Sequence, residues 1–210
     1  TNQIEKEKPK KLVTSMAEKY GVSSQGFWDT LKATAFKQRN NEAPTDAQMM
    51  ALLVVANEYD LNPFTKEIYA FPDKSNGIVP IVGVDGWSRI INNHSQFDGM
   101  EFTTSSEKIE LVGLDSPIFE WIECTIYRKD RTRPIKVREY LEEVYREPIS
   151  KSGNRGPYTI SGPWQTHPRR MARHKVLIQC ARIALGYTGI FDEEEAERIF
   201  SKEKVINSQS

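Results

Sequence analysis

From Asp46 to Tyr59 the chain reads DAQMMALLVVANEY, strongly apolar through MMALLVVA, which predicts a helix in the core. Thr45 and Gln48 form a capping box at its start, just after Pro44. Two shorter amphipathic helices are predicted ahead of it, over Lys10 to Tyr20 and Ser24 to Phe36. Gly21 closes the first, and Ser23 or Ser24 caps the second. A polar linker, Lys37 to Ala43, separates them from the apolar helix. The period then changes to two. Lys66 to Phe71 alternates as a strand, DKSNG turns the chain, and Ile78 to Val82 returns, with Pro80 implying an edge or a bulge. Asp85 caps a predicted helix from Gly86 to Asn92, and Phe97 to Thr103 is another strand. Thr104 to Pro117 reads as loop. Ile118 to Arg128, IFEWIECTIYR, alternates clearly and pairs with Ile135 to Tyr140 across a basic turn holding Lys129, Arg131 and Arg133. Leu141 to Arg146 suits helix or strand, and Pro148 to Pro163 reads as a long loop carrying Lys151 and Arg155.

The stretch WQTHPRRMARHKVLIQCAR, Trp164 to Arg182, differs from all of these. Pro168 suits a first helical turn, and nothing breaks the pattern before Leu185, so one helix of about five turns is predicted. Its first half carries Arg169, Arg170, Arg173, His174 and Lys175 around the whole circumference. Its second half, Val176 to Leu185, is apolar nearly all round, which implies burial. Lys175, Gln179 and Arg182 are spaced i, i+4, i+7 and form one stripe. Gly186 and Gly189 end the helix, and Asp192 opens a short acidic one through Lys202. Helices, then strands, then a long helix imply an α+β class: a mostly antiparallel sheet packed on the long helix, with additional N-terminal helices. One domain is expected over residues 10–200, with residues 1–9 disordered and residues 201–210 a tail.

Charge sharpens the picture because its total hides its distribution. Twenty-nine basic residues balance 29 acidic ones. Yet Arg146 to Arg182 holds eight Lys/Arg against one acid, and Asp192 to Glu197 holds five acids. A basic helix beside an acidic one either keeps the protein soluble, pairs with a copy of itself, or meets a polyanion. The longest apolar run, Met49 to Ala56, is too short to span a membrane, and the polar start is unlike a signal peptide. No membrane partner is expected, and Cys124 and Cys180 are expected as buried free thiols in a reducing cytoplasm.

Catalysis needs a constellation, and the residues do not supply one. No G-x-x-x-x-G-K-[ST] loop is present to cradle ATP, and two cysteines with three histidines do not make a zinc site. His167 and His174, flanked by arginine, suit phosphate better than metal. Glu67, Asp73, Asp85, Glu120 and Glu123 do not converge as a two-metal nuclease requires. No catalytic residue, no metal site and no cofactor, ATP included, is expected; a role for magnesium is left open. Aromatic residues interleave with the cations, as in single-strand binding surfaces, although about two thirds of them belong to the core. Trp164 and Tyr158, beside the basic helix, are the ones expected to touch nucleic acid or to order the flexible loop.

Three stretches, NPFTKEIYAFPDKSNGIVPIVGVDGWSRIINN (Asn62 to Asn93), IYRKDR (Ile126 to Arg131) and GPWQTHPRRMARHKVLIQCARIALGYTGIFDEEEAERI (Gly162 to Ile199), closely resemble the RecT/Bet family of single-strand annealing proteins. The resemblance covers about residues 24 to 200. It implies an ATP-independent annealing protein of phage-type homologous recombination that binds single-stranded DNA, assembles into rings or helical filaments and holds the annealed duplex. It also implies a β-β-β-α core distantly akin to the eukaryotic Rad annealing proteins, and a bacterial host cytoplasm. By the same resemblance the DNA-contacting positions fall on Lys66, Lys74, Lys129, Arg146, Arg169, Lys175 and Arg182. The residue pattern adds Arg170, Arg173 and Gln179 on the helix, Trp164 beside it and Lys151 in the long loop. Family members engage a phage-type exonuclease and the host single-strand-binding protein through a further C-terminal region, which residues 201–210 are not expected to supply. The rival expectation is a protein that coats single strands in replication without annealing them; a metal nuclease is a weaker third.

Overall fold

The structure, a computed structural model, describes residues 12–37, 43–72, 77–153 and 156–199. The start expected as disordered, most of the expected polar linker, the DKSN stretch with Lys74, Arg155, and residues 200–210 lie outside them. The chain forms two compact units. One comprises residues 1–92 and 189–210, the other residues 93–188. Secondary structure is mixed helix and antiparallel strand, so the fold is α+β.

The first unit begins with α1 (12–19) and α2 (Ser24–Thr34). Ser23 caps α2, its hydroxyl accepting from Gly26 N at 3.1 Å. Tyr20 and Phe27 pack edge-on against Phe64, with centroids 5.5 and 5.1 Å away. In α3 (Asp46–Glu58) the capping box forms as the spacing predicts: Thr45 Oγ1 accepts from Gln48 N, and Gln48 Oε1 accepts from Thr45 N. Met49, Leu52, Leu53 and Ala56 are fully buried, but Val54 is 53% exposed. The helix is core as the sequence predicts, with one strip left open. The cover α3 receives from strands is a two-stranded ribbon, which wraps only part of a helix.

That ribbon is β1 (Ile68–Pro72) paired antiparallel with β2 (Ile78–Val82), Ala70 opposite Pro80. Single parallel bridges, Phe36 to Ala70 and Ile81 to Phe191, flank it. Pro80 has no N–H, so it offers only its carbonyl, which accepts from Phe191 N. The next helix, α4 (Val84–Asn93), opens earlier than the sequence suggests. Trp87 N donates to Gly83 O at 2.9 Å, so Asp85 sits in the first turn rather than at the cap. After residue 189 the chain returns to this unit. Asp192 Oδ1 accepts from Glu194 N and Glu195 N, starting the acidic helix over residues 193–199. Ala196 joins Phe71, Val79 and Ile81 in a small core.

The second unit opens with β3 (Phe97–Thr104). The following segment, expected as loop, contains β4 (Lys108–Ile109), which pairs with β5 (Ile118–Phe119). The strand expected over Ile118 to Arg128 is thereby divided, its main part being β6 (Trp121–Arg128). Glu120 makes the break: its amide donates to Ser105 Oγ and Glu107 O, and its carbonyl accepts from Leu141 N. With β7 (Ile135–Tyr140), at its predicted bounds, a three-stranded antiparallel sheet forms in the order β3-β6-β7. Leu141–Val144 is one helical turn, α5. The expected long loop is instead a hairpin, β8 (Ile149–Gly153) with β9 (Gly156–Ile160). Residues Pro163–Thr166 form α6, and Pro168–Leu185 form α7, with the bounds the sequence predicts.

Candidate nucleic-acid interface

The root of α7 is its second half. Val176, Ile178, Cys180, Ala181, Ala184 and Leu185 are buried, and α7 packs against β6 and β7. Cys180 Sγ lies 3.3 Å from Cys124 O and 3.7 Å from Ile135 O, so one residue touches both strands. Both cysteines are free and buried; the hydrogen bond with Cys180, then burial, push the Cys124 thiol up, which makes it a packing group and not a nucleophile. Arg128 Nη1 donates to Ala184 O at the helix end while its other nitrogens grip Asp130. Gly186, at φ +79, closes the last turn, its N–H donating to Arg182 O. One residue departs from the expected burial: Ile183 is 63% exposed.

The head of α7 is built differently. Gln165 pins the preceding turn, its Oε1 accepting from Gly162 N at 2.7 Å and its Nε2 donating to Arg146 O at 2.8 Å and Tyr145 Oη at 2.9 Å. Pro168 then starts the helix. In front lies a cleft of about 380 Å³ lined by Ser116, Pro117, Ile118, Thr166, His167, Pro168, Arg169, Arg170 and Arg173. The three arginines are exposed. Among the described residues no carboxylate forms an ion pair with any of them. Guanidinium groups, hydroxyls and a helix N-terminus facing one concavity make a site for an anion with several oxygens.

His174 reports the resulting field. Burial lowers its pKa first, and the positive charges of Arg170 and Arg173 lower it further. The unfolded chain, where histidine titrates near 6.5, therefore takes up a proton before the folded chain does. Stability contributed by neutral His174 is full above that pH and is lost as pH falls through the folded pKa. The urea midpoint is expected to drop between about pH 7 and pH 5, and His174→Gln is expected to flatten that drop. An anion seated on Arg170 and Arg173 removes part of the depression, so binding there is expected to take up protons below about pH 6.5. Titration calorimetry in buffers of different ionisation enthalpy measures that uptake.

The other expected contacts divide by burial. Trp164 is only 2% exposed and packs edge-on against Tyr145 at 5.7 Å, which suits the expected role of ordering the neighbouring segment better than an open contact with nucleic acid. Its ring is the wedge that seats α6. Lys175 is 8% exposed, so it is not an outward cation. Gln179 and Arg182 share its stripe and are half-buried, as is Arg146. Lys129, at the β6–β7 turn, and Lys151, on β8, are exposed. In the other unit Lys66 is exposed and holds φ +60, and Lys74 lies outside the described residues. Ser116, Thr166 and Gln165 were not singled out from sequence. Only Gln165 left a trace there, since Gly162-x-x-Gln165 has the second half of a capping box but no side chain at its first position.

Among the described residues no group of three His, Cys, Asp or Glu could hold a metal ion, and no helix is long and apolar enough to cross a membrane. The sequence matches the profile of the RecT family over residues 23–207. It is 53% identical over 191 residues to "Recombination protein bet" of Escherichia phage lambda, covering 90% of this chain. The chain spans about two thirds of that relative's length, 66%.

Proposed function

The chain belongs to the RecT family, and on that premise we propose that it is a single-stranded DNA-binding and annealing protein of phage-type homologous recombination, working without ATP. The observation that carries this reading is the cleft at the head of α7. It gathers Arg169, Arg170 and Arg173 with no carboxylate counter-charge among the described residues. A protein has little reason to concentrate like charges unless a polyanion neutralises them, and sugar–phosphate does so without reading sequence.

The mechanism follows from what such a surface can and cannot do. Phosphates of the first strand lie against the arginines, which leaves base edges free for Watson–Crick pairing. Repulsion between two polyanions is the kinetic obstacle to pairing, and cations held on a rooted helix lower it. Lys129 and Lys151 supply further charge for the second strand or the duplex. No bond is made or broken by the protein, so no catalytic residue is required. In the same reading copies of the chain assemble side by side on DNA in the bacterial host cytoplasm, and a phage-type exonuclease and the host single-strand-binding protein are its partners.

Stopped-flow mixing of complementary oligonucleotides carrying a donor and an acceptor dye tests the activity. The protein is expected to accelerate pairing without nucleotide, and the log of the binding constant is expected to fall against log salt by about 0.7 per phosphate contact on single strands. Slower pairing in its presence would instead mark a coating protein.

A further inference from the structure

The β8–β9 hairpin carries a surface that phosphate chemistry does not use. All ten residues of the two strands are exposed. The register places Ile149 opposite Ile160, Lys151 opposite Tyr158 and Gly153 opposite Gly156. Strand alternation puts these six on one face and Ser150, Ser152, Pro157 and Thr159 on the other. One face is thus aliphatic, aromatic and cationic; the other is short and mostly hydroxylic. Ile149 is 59% exposed, Tyr158 50% and Ile160 40%. A two-stranded hairpin with a bare apolar face is marginal in water on its own.

Two features argue that this face is held ready for a ligand. The first is the support under the ring. A Cβ on Gly153 would come within 3.2 Å of Tyr158 Cε1, so the ring lies over a residue with no side chain, while half of the tyrosine stays exposed. The second is the rooting of both feet. Gln165 joins Gly162 N, after β9, to Arg146 O, before β8. Tyr145 Oη donates to Val112 O at 2.7 Å, and Pro148 fills the space beside Gly113, where a Cβ would sit 2.7 Å from Pro148 Cγ. Gln165 also begins the turn that leads into the arginine cleft, so the blade is tethered to the same short segment that seats the phosphate surface.

We propose that this face contacts nucleobases: Tyr158 stacks on a base, Ile149 and Ile160 cover its edge, and Lys151 neutralises the adjoining phosphate. The inference rests on the DNA-binding reading above. Its occupant is chosen by charge. A flat ring beside an exposed lysine, with no acid on either strand, suits a polyanion with π faces better than another apolar protein surface. Bases splayed from phosphates gripped at α7 would be ordered in a line, ready for pairing.

The test compares two probes with the whole chain: a 2-aminopurine oligonucleotide and an abasic strand of equal length. The first has phosphates and bases, the second phosphates alone. The wild type is expected to bind the base-containing strand more tightly and to quench its fluorescence. Tyr158→Ala is expected to weaken that binding about tenfold, as loss of one stacked base does, to abolish quenching, and to leave both the abasic affinity and the salt slope unchanged. Tyr158→Phe is expected to restore quenching, and Tyr158→Leu, of similar apolar bulk, is not. Equal weakening on both probes with altered oligomer size would overturn the inference in favour of a second copy as occupant. Unchanged quenching in Tyr158→Ala would overturn it while leaving DNA binding intact. A wild type that binds neither probe would overturn it together with the functional reading.

Discussion

Replacing Arg169, Arg170 and Arg173 together by glutamine is expected to weaken single-stranded DNA binding about 100-fold near 0.1 M salt and to stop annealing. The estimate is electrostatic. Each phosphate contact on a single strand contributes about 0.7 to the slope of log affinity against log salt, so three contribute about 2. At 0.1 M salt, one decade below a molar reference, a slope loss of about 2 is about two decades of affinity. The fold is expected to remain intact, because all three side chains are exposed and make no ion pair among the described residues. Relief of like-charge repulsion should hold the melting temperature level or raise it slightly, and His174 should titrate closer to its ordinary range once Arg170 and Arg173 are gone. Fluorescence anisotropy over a salt series reads the slope, and differential scanning fluorimetry reads the fold. A triple variant with the wild-type slope would remove this cleft from the DNA path.

Gly86→Ala is expected to destabilise the protein by about 3 kcal/mol, toward the upper end for overpacking. Helix propensity alone argues the opposite sign, since alanine in α4 is better than glycine by about 1 kcal/mol. The tertiary contact decides it. A Cβ at Gly86 would lie 2.3 Å from Glu67 O and 2.8 Å from Val82 Cγ1. Glu67 has little freedom to retreat. Its N–H donates to Asn62 O, its carboxylate accepts from Asn62 N at 2.8 Å and from Arg89 Nη1 at 3.1 Å, and its carbonyl accepts from Gly83 N at 3.0 Å. The same loop holds Lys66 at φ +60, a conformation that costs a lysine about 1 kcal/mol or more and persists only when its surroundings over-determine it. Forcing Glu67 outward therefore also moves Lys66. Hydrogen exchange is expected to speed up over residues 62–67 and the first turn of α4, with the melting temperature about 6–12 °C lower. A variant as stable as the parent, or more stable, would mean that propensity wins and the loop yields easily.

The bounds of α7, β2 and β7, the Thr45–Gln48 box, the buried thiols and the α+β class were all readable in the chain. Each depends on neighbours close in sequence: a period of 3.6 or 2, a proline at a first turn, a glycine past a last one. The arginine-rich head of α7 was readable for the same reason, because cations on every side of a short helical stretch cannot all be buried. What the chain left undecided were the outcomes set by partners distant in sequence. Glu120 interrupts an unbroken alternation because Ser105 and Leu141 claim its backbone. The segment rich in Gly, Pro and Ser becomes a hairpin because its feet are held by Gln165, Tyr145 and Gly113. Trp164 turns inward onto Tyr145, a partner set by the fold; Lys175 turns inward, and Ile183 outward, because the sheet covers only one side of α7 and composition does not say which. Local spacing determines which element forms and where it ends; which face of it meets water is decided by the surface that packs against it.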